Sequence, residues 1–233
     1  EYTPTGKVSR VSCIGLDGQN ALHASGYAAV QYTYDARGNQ TSVTYQNELN
    51  QPVLVKSLGY ASTTHEYDSL GHCVSTRYYA ADGMLKELAS GYAQIAYSYD
   101  EMGNRVLETY LDAQGLNAEH ADGYYAIAYT YDMRGYATAL RYLDAEGQVT
   151  ECEAGYAGQN MVTDSKGRVI QRGYVDVQGQ PFELDEGYCA LVYTLDQRGN
   201  AVLTRYVDAN GYSVTRTEGY AQVARTFDGM NRE

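Results

Sequence analysis

The chain has 233 residues, of which 26 are Tyr and 24 are Gly, with 3 Pro, 2 Phe and no Trp, and its formal net charge is −12. So acidic a chain repels phosphate backbones and anionic lipid surfaces, which excludes nucleic acid and membrane as primary partners. It also contains no apolar run close to the ~20 residues that cross a bilayer. The heavy use of one aromatic residue type predicts a single unit copied many times.

A Gly-Tyr pair marks the start of each copy, and its Gly is counted here as position 0. Position 9 is always Asp, and positions 12 and 19 are Gly and Tyr in every complete copy. We interpret residues 1–233 as one tandem array, cut at both ends from a longer parent chain with further repeats or domains. Its parts are a partial repeat 1–25, complete repeats starting at 26, 59, 91, 123, 155 and 187, and a partial repeat 219–233.

The repeat that begins at Gly91 shows the predicted elements in chain order. Large and small side chains alternate over residues 93–99, which is typical of a half-buried strand. Asp and Gly three residues apart at 100–103 predict a type I turn closed by a Gly of positive φ. Residues 105–111 then form the return strand and 112–115 the next turn. A weaker third strand leads to the following Gly-Tyr pair.

The predicted fold is all-β, an elongated array of ~32-residue three-stranded antiparallel β-hairpin repeats. Because a twisted open sheet rarely exceeds ~10 strands, we expect a coiled or spiral ribbon. A three-sided β-solenoid is the rival fold. Arg at position 18 of every second repeat is consistent with inversion of successive three-stranded repeats; these residues are Arg77, Arg141 and Arg205.

Two phrases in the repeat carry a family resemblance. Tyr-x-Tyr-Asp-x-x-Gly-Asn, at 32–39 and 97–104, resembles the bacterial YD repeats of RHS-type proteins. That resemblance implies β-hairpin strips that wrap into shells in secreted and surface proteins. Tyr-Leu-Asp-Ala-x-Gly, at 110–115 and 142–147, is similar to the hairpins of choline-binding and toxin-type cell-wall-binding repeats. That second resemblance implies docking of choline or sugars on aromatic residues.

The sequence predicts no catalytic residue, no metal site and no cofactor. The repeated Asp residues sit where a carboxylate caps the backbone of a turn. His65, Glu66, His72 and Cys73 are metal-ligand residue types in one segment. If the turn between them closes a hairpin, His65 and His72 share one face and the other two share the opposite face, so they do not converge as a tetrahedral site requires. His23 and His120 are interpreted as ordinary surface residues.

The tyrosines divide into two groups by their regularity. Positions 1 and 19 are Tyr in every complete repeat, which predicts packing between repeats. Positions 6 and 8 vary, so these rings are candidates for stacking on sugar rings; the alternative is that they form the core side of the sheet. The candidate stacking residues are Tyr32, Tyr34, Tyr97, Tyr99, Tyr129, Tyr131 and Tyr193.

These observations predict a non-enzymatic repeat module of a secreted or cell-surface bacterial protein. We expect it to bind carbohydrate, either cell wall or host glycan, or to mediate adhesion, with carbohydrate or a cell-surface protein as its partner. The alternative is a structural spacer or shell segment of RHS/YD type. The four cysteines show no CxxC spacing and leave the redox compartment open.

Overall fold

The chain is built from β-strands alone in the part that the structure, a computed structural model, describes, residues 1–228. This confirms the all-β prediction; the end of the predicted partial repeat 219–233 lies outside the described residues. The chain divides into two compact halves, Glu1–Ala121 and Asp122–Glu233. Within the described residues no helix is long and apolar enough to span a membrane.

In the described residues, each half contains seven strands that pair antiparallel with their neighbours in sequence. The first half has β1 (Arg10–Ser12), β2 (Ala29–Tyr34), β3 (Gln40–Gln46), β4 (Ser62–Tyr67), β5 (Cys73–Tyr79), β6 (Gln94–Tyr99) and β7 (Arg105–Leu111). The second half has β8 (Ala126–Tyr131), β9 (Ala137–Leu143), β10 (Gly158–Thr163), β11 (Val169–Val175), β12 (Ala190–Leu195), β13 (Ala201–Val207) and β14 (Gln222–Ala224).

The same register recurs in every hairpin, and it corrects two expectations. Position 4 always faces position 19, as in the pairs Ile95–Tyr110 and Leu191–Tyr206. Antiparallel pairing of consecutive strands rules out the β-solenoid, whose coils would pair in parallel. Because β2 and β4 are both antiparallel to β3, successive repeats point the same way and are not inverted. The alternation of Arg at position 18 therefore does not come from inversion.

The predicted third strand of the repeat is a short connecting segment. In the repeat that begins at Gly187, only residues 212–215 separate the second turn from the third. Four residues span about 13 Å, which is too short for a regular strand beside two turns. The segment instead makes a single bridge, Val207–Ser213, and the amide of Val214 donates to the carbonyl of Tyr206 at 3.0 Å.

One kind of turn is used three times in each repeat. In the last complete repeat these turns end at Gly199, Gly211 and Gly219, whose amides donate to the carbonyl three residues earlier at 2.8–3.1 Å. Their φ angles are +96°, +83° and +92°, a region that glycine enters without steric cost. The first two turns confirm the Asp-x-x-Gly prediction. The third was not predicted as a turn, and it explains the Gly of the Gly-Tyr pair.

Two exceptions follow the same backbone rules. Asn50 stands where other repeats have the second-turn Gly, and it is the one non-glycine residue of the described chain with positive φ, at +61°. Asn tolerates this conformation better than other side chains. The third turn between Val55 and Gly59 is one residue longer than the others, with Gly59 donating to the carbonyl of Val55 at 2.9 Å. That residue accounts for the single spacing of 33.

Candidate functional site

The tyrosines at positions 1 and 19 form a continuous row of ring contacts in each half, here called the tyrosine ladder. In the first half it runs through Tyr27, Tyr45, Tyr60, Tyr78, Tyr92 and Tyr110. In the second half it runs through Tyr124, Tyr142, Tyr156, Tyr174, Tyr188, Tyr206 and Tyr220.

The spacing of the ladder rings alternates regularly, and the rings connect each repeat to the next. Ring centroids within a repeat lie 4.4–5.2 Å apart, and those of adjacent repeats lie 5.8–6.3 Å apart. All these separations fall in the range of favourable aromatic pairs. The prediction that positions 1 and 19 pack between repeats is confirmed.

Buried rings occur at both positions of the ladder, and Tyr124 and Tyr188 at position 1 are 6–7% exposed. Tyr110, Tyr142 and Tyr206 are only 4–8% exposed. Burial raises the pKa of Tyr78, Tyr142 and Tyr174 well above the usual ~10 of tyrosine, so their hydroxyls keep their protons over the whole physiological range. The ladder is therefore a neutral, largely buried core.

The candidate stacking tyrosines at position 6 lie on the same side of the sheet as the ladder. Position 6 is two residues from position 4, which faces the ladder residue of position 19, and side chains two apart share a face. Burial raises the pKa of Tyr97 and Tyr193, and the Arg105 guanidinium lies 5.2 Å from the Tyr97 ring centroid. The four candidates here are half-buried, namely Tyr32, Tyr97, Tyr129 and Tyr193.

The candidates at position 8 are half-buried as well, namely Tyr34, Tyr99 and Tyr131. The hydroxyl of Tyr99 donates to the carbonyl of Cys73 at 2.7 Å, and that of Tyr34 to the carbonyl of Val8 at 2.8 Å. Each bond joins a hairpin to the preceding one, 26 residues earlier in the chain, so no local pattern could have revealed it. Stacking of the seven candidate rings on sugars stays a prediction.

The Asp at position 9 holds its turn with both carboxylate oxygens. In the repeat of Gly91, one oxygen of Asp100 accepts from the amides of Met102 and Asn104 at 3.0 and 2.8 Å. The other accepts from the side-chain amide of Asn104 at 2.9 Å, which explains the Asn of the YD phrase. This side-chain bond, followed by the backbone bonds, lowers the pKa of Asp100. These carboxylates serve the backbone, as the sequence predicts.

The His, Glu and Cys side chains of residues 65–73 are spread over the hairpin, but Cys73 does not lie on the face that the sequence predicts. The ring of His65 contacts the hydroxyls of Thr63 and Thr76 at 3.2 and 3.1 Å. A bulge after Glu66 pairs Cys73 with Tyr67, so Cys73 shares the face of His65, and its predicted place on the face of Glu66 is wrong.

The other His of that cluster belongs to a turn. A carboxylate oxygen of Asp68 accepts from Nδ1 of His72 at 2.9 Å, and the His72 ring stacks on Tyr99 at 4.6 Å between ring centroids. Within residues 1–228 no three His, Cys, Asp or Glu side chains are grouped so as to hold a metal ion. All four cysteines are free thiols, and burial raises the pKa of Cys189.

Position 29, here called the cover position, lies against the ladder, which sequence reasoning missed. The ring of His120 lies 5.1 Å from that of Tyr110 and 5.8 Å from that of Tyr92. Its interpretation as an ordinary surface residue is therefore wrong. No shared residue type marks this position, since its members are His23, Val55, Leu88, His120, Cys152, Leu184 and Arg216.

Comparison with solved structures finds similar chains in toxin complexes. In the crystal structure of TcdB2-TccC3-Cdc42, the TM-score is 0.46 at 18% identity, over 88% of this chain and 10% of that chain. For the TcdB2-TccC3-TEV crystal structure, the TM-score is 0.42 at 16% identity, over 97% of this chain and 12% of that chain. For the Photorhabdus luminescens Tc holotoxin pore, the TM-score is 0.19 at 14% identity, over 84% of this chain and 13% of that chain. This chain thus spans about a tenth of each. No protein-family model and no curated protein matches it.

Proposed function

We propose that this chain is a non-enzymatic structural segment, a spacer or shell part of RHS/YD type, of a secreted or surface bacterial protein. The observation that carries the proposal is the tyrosine ladder. Its rings contact one another from repeat to repeat, and Tyr110, which is only 4% exposed, is used in that packing. The most regular residues of the sequence are thus used to join repeats.

The polar residues support the same role. The repeated carboxylates, such as Asp100 and Asp196, accept bonds from their own turns in near-identical surroundings. Acid–base catalysis needs two carboxyls whose environments push their pKa values apart. A row of equivalent turns holds a β-sheet in register instead. Further repeats or domains of the parent chain are the natural partners of such a segment.

Removal of one whole repeat tests the structural role. Deletion of residues 187–218 joins two equivalent positions of the array, so we expect the shortened chain to keep its β-sheet circular dichroism and a cooperative unfolding transition. Deletion of residues 187–202, half a repeat, breaks the register and serves as the control. Equal loss of structure in both variants would contradict a modular scaffold.

Carbohydrate binding is the second candidate function, and half-exposed rings at positions 6 and 8 favour it. Rings such as Tyr97 and Tyr129 offer part of a planar face, to which the C–H faces of sugars can stack. A glycan array with the whole chain tests it. Binding that is lost in Tyr97→Ala and Tyr129→Ala but kept in Tyr212→Ala would support adhesion through this stripe. Absence of binding above background would contradict carbohydrate binding, and the structural role would then be the one remaining proposal.

A further inference from the structure

The cover position of the last complete repeat holds a cation in a cage of tyrosines. The guanidinium carbon of Arg216 lies 4.8 Å from the ring centroid of Tyr206, 5.3 Å from that of Tyr220 and 5.5 Å from that of Tyr188. A guanidinium N–H of Arg216 donates to the hydroxyl of Tyr220 at 2.7 Å, and the same nitrogen forms an ion pair with the carboxylate of Glu218 at 2.9 Å. Three ladder rings thus suffice to hold one arginine side chain.

A related group of three rings recurs two repeats earlier, where the first two rings are nearly parallel, at 20°, while Tyr188 and Tyr206 meet at 64°. Tyr124, Tyr142 and Tyr156 take the places of the three caging rings, with centroid separations of 4.4 and 5.8 Å against 4.9 and 5.8 Å around Arg216. The cover position is Cys152, whose short side chain leaves a cavity of about 410 Å³.

The backbone around the two cover positions is the same. The amide of Cys152 donates to the carbonyl of Tyr156 at 2.9 Å, as Arg216 donates to Tyr220 at 2.9 Å. The third turn then closes with equal bonds of 2.8 Å from Gly155 and from Gly219. The cavity therefore has the backbone frame of the occupied cage, and it differs in its cover residue and in the angle between its first two rings.

The rim of the cavity carries acidic side chains. Asp122 and Glu153 line it, and both are exposed. A cation held over aromatic rings gains most when carboxylates stand nearby and the site is partly desolvated. The net charge of −12 adds a long-range attraction for basic partners.

We propose that this cavity binds an arginine side chain of a partner protein, in the way that the cage of Arg216 holds its own. Arginine fits better than lysine because its planar guanidinium stacks on aromatic rings while it bonds to carboxylates and hydroxyls. Sugars would gain nothing from the acidic rim. The inference does not depend on the structural role proposed above, because a spacer or an adhesin could equally carry the site.

The test is a titration of the whole ¹⁵N-labelled chain with the peptide Ac-Gly-Arg-Gly-NH₂, followed by amide chemical shifts. We expect saturable shifts at residues 122–124 and 152–156, and much smaller shifts with the matched Leu peptide. Cys152→Arg places a side chain of the protein itself in the cage and should weaken peptide binding at least about tenfold, the equivalent of ~1.4 kcal/mol. Glu153→Gln should weaken it less.

Two further variants separate the cage from general effects on folding. Cys152→Leu copies the cover residue Leu184, so it should keep the unfolding midpoint and abolish binding. Arg216→Cys should open a second site, with new peptide-dependent shifts at Thr217–Tyr220. Equal shifts with the Leu peptide, or wild-type affinity in both Cys152 variants, would overturn the proposal. If Arg216→Cys fails to fold, the Cys152 pair decides alone.

Discussion

At the scale of the single residue, two glycines on neighbouring strands differ in their tolerance for a side chain. A Cβ on Gly158 of β10 would lie 2.3 Å from the carbonyl oxygen of Leu140 on β9. A Cβ on Gly173 of β11 would meet nothing closer than the Cβ of Ala190, at 3.6 Å. We expect Gly158→Ala to cost about 1–3 kcal/mol of unfolding free energy, as overpacking does. Gly173→Ala should be neutral or stabilise by about 0.4–1 kcal/mol.

Urea unfolding followed by far-UV circular dichroism checks this pair. The two substitutions add the same methyl group to adjacent strands, so general effects of Ala on strand propensity cancel in the comparison. A loss of stability in Gly173→Ala equal to that in Gly158→Ala would show that close backbone approach is not the cause.

A turn carboxylate gives the second prediction at this scale. Asp100→Ala removes the acceptor for the amides of Met102 and Asn104, whereas Asp100→Asn keeps one acceptor oxygen. Asn47 already holds a second turn in this way, accepting from the amides of Leu49 and Gln51. We expect the thermal midpoint at pH 7 to fall in the order wild type, Asn variant, Ala variant. A midpoint of the Ala variant at or above that of the Asn variant would show that the side-chain acceptor at residue 100 does not stabilise the turn.

At the scale of the element, the ladder predicts which tyrosines carry stability. Tyr142 is 8% exposed and contacts rings of its own and the next repeat, so Tyr142→Ala should cost about 3 kcal/mol or more of unfolding free energy. Tyr212, which is 73% exposed, provides the control, and Tyr212→Ala should change stability by less than about 0.5 kcal/mol. Chemical denaturation measures both. Similar losses in the two variants would mean that the ring contacts add little.

The elements that could be predicted are those whose cause is local. Alternation over residues 93–99 and the spacing of Asp100 and Gly103 act within a single hairpin, and β6, its turn and β7 form where they indicate. The ladder could be predicted as well, because positions 1 and 19 never vary.

The rest depends on contacts that no short window contains. The bulge that moves Cys73 to the face of His65 arises from a turn whose Gly adds one residue to one strand. The partner of the Tyr99 hydroxyl lies 26 residues away, on the preceding hairpin. The cover position could not be predicted from the sequence because its residues share neither charge nor size. Only the three-dimensional structure shows that Cys152 and Arg216 occupy equivalent positions.

At the scale of the whole molecule, its acidic charge and its buried groups give opposite slopes of stability with pH. From pH 7 towards the isoelectric point near 4.7, protonation relieves the repulsion of a net charge of −12 and should stabilise the fold. His65 works against this. Burial lowers the pKa of its ring. The contribution of the neutral ring to folding stability is therefore fully present above about pH 6.5, and it is lost as the pH falls through the folded-state pKa.

Below pH 4 the turn carboxylates dominate. Hydrogen bonds from their own turns lower the pKa of the position-9 Asp of the six complete repeats, so the unfolded chain takes up these protons first as the pH falls. Their contribution is full above about pH 4 and is lost progressively below it. We expect a steep fall of the unfolding midpoint in this range. The residues concerned are Asp35, Asp68, Asp100, Asp132, Asp164 and Asp196.

Thermal unfolding from pH 7 to pH 2 separates the three causes. Salt at about 0.5 M screens long-range repulsion and should flatten the upper part of the profile, while short hydrogen-bonded contacts in the turns are screened much less. His65→Gln removes the titration of the ring alone. A variant with Asn at position 9 of the six complete repeats keeps an acceptor oxygen in each of those turns but has no carboxyl there to protonate, so its midpoint should change little below pH 4. If that variant falls as steeply as the wild type, the acid sensitivity of this fold comes from acidic residues other than these six.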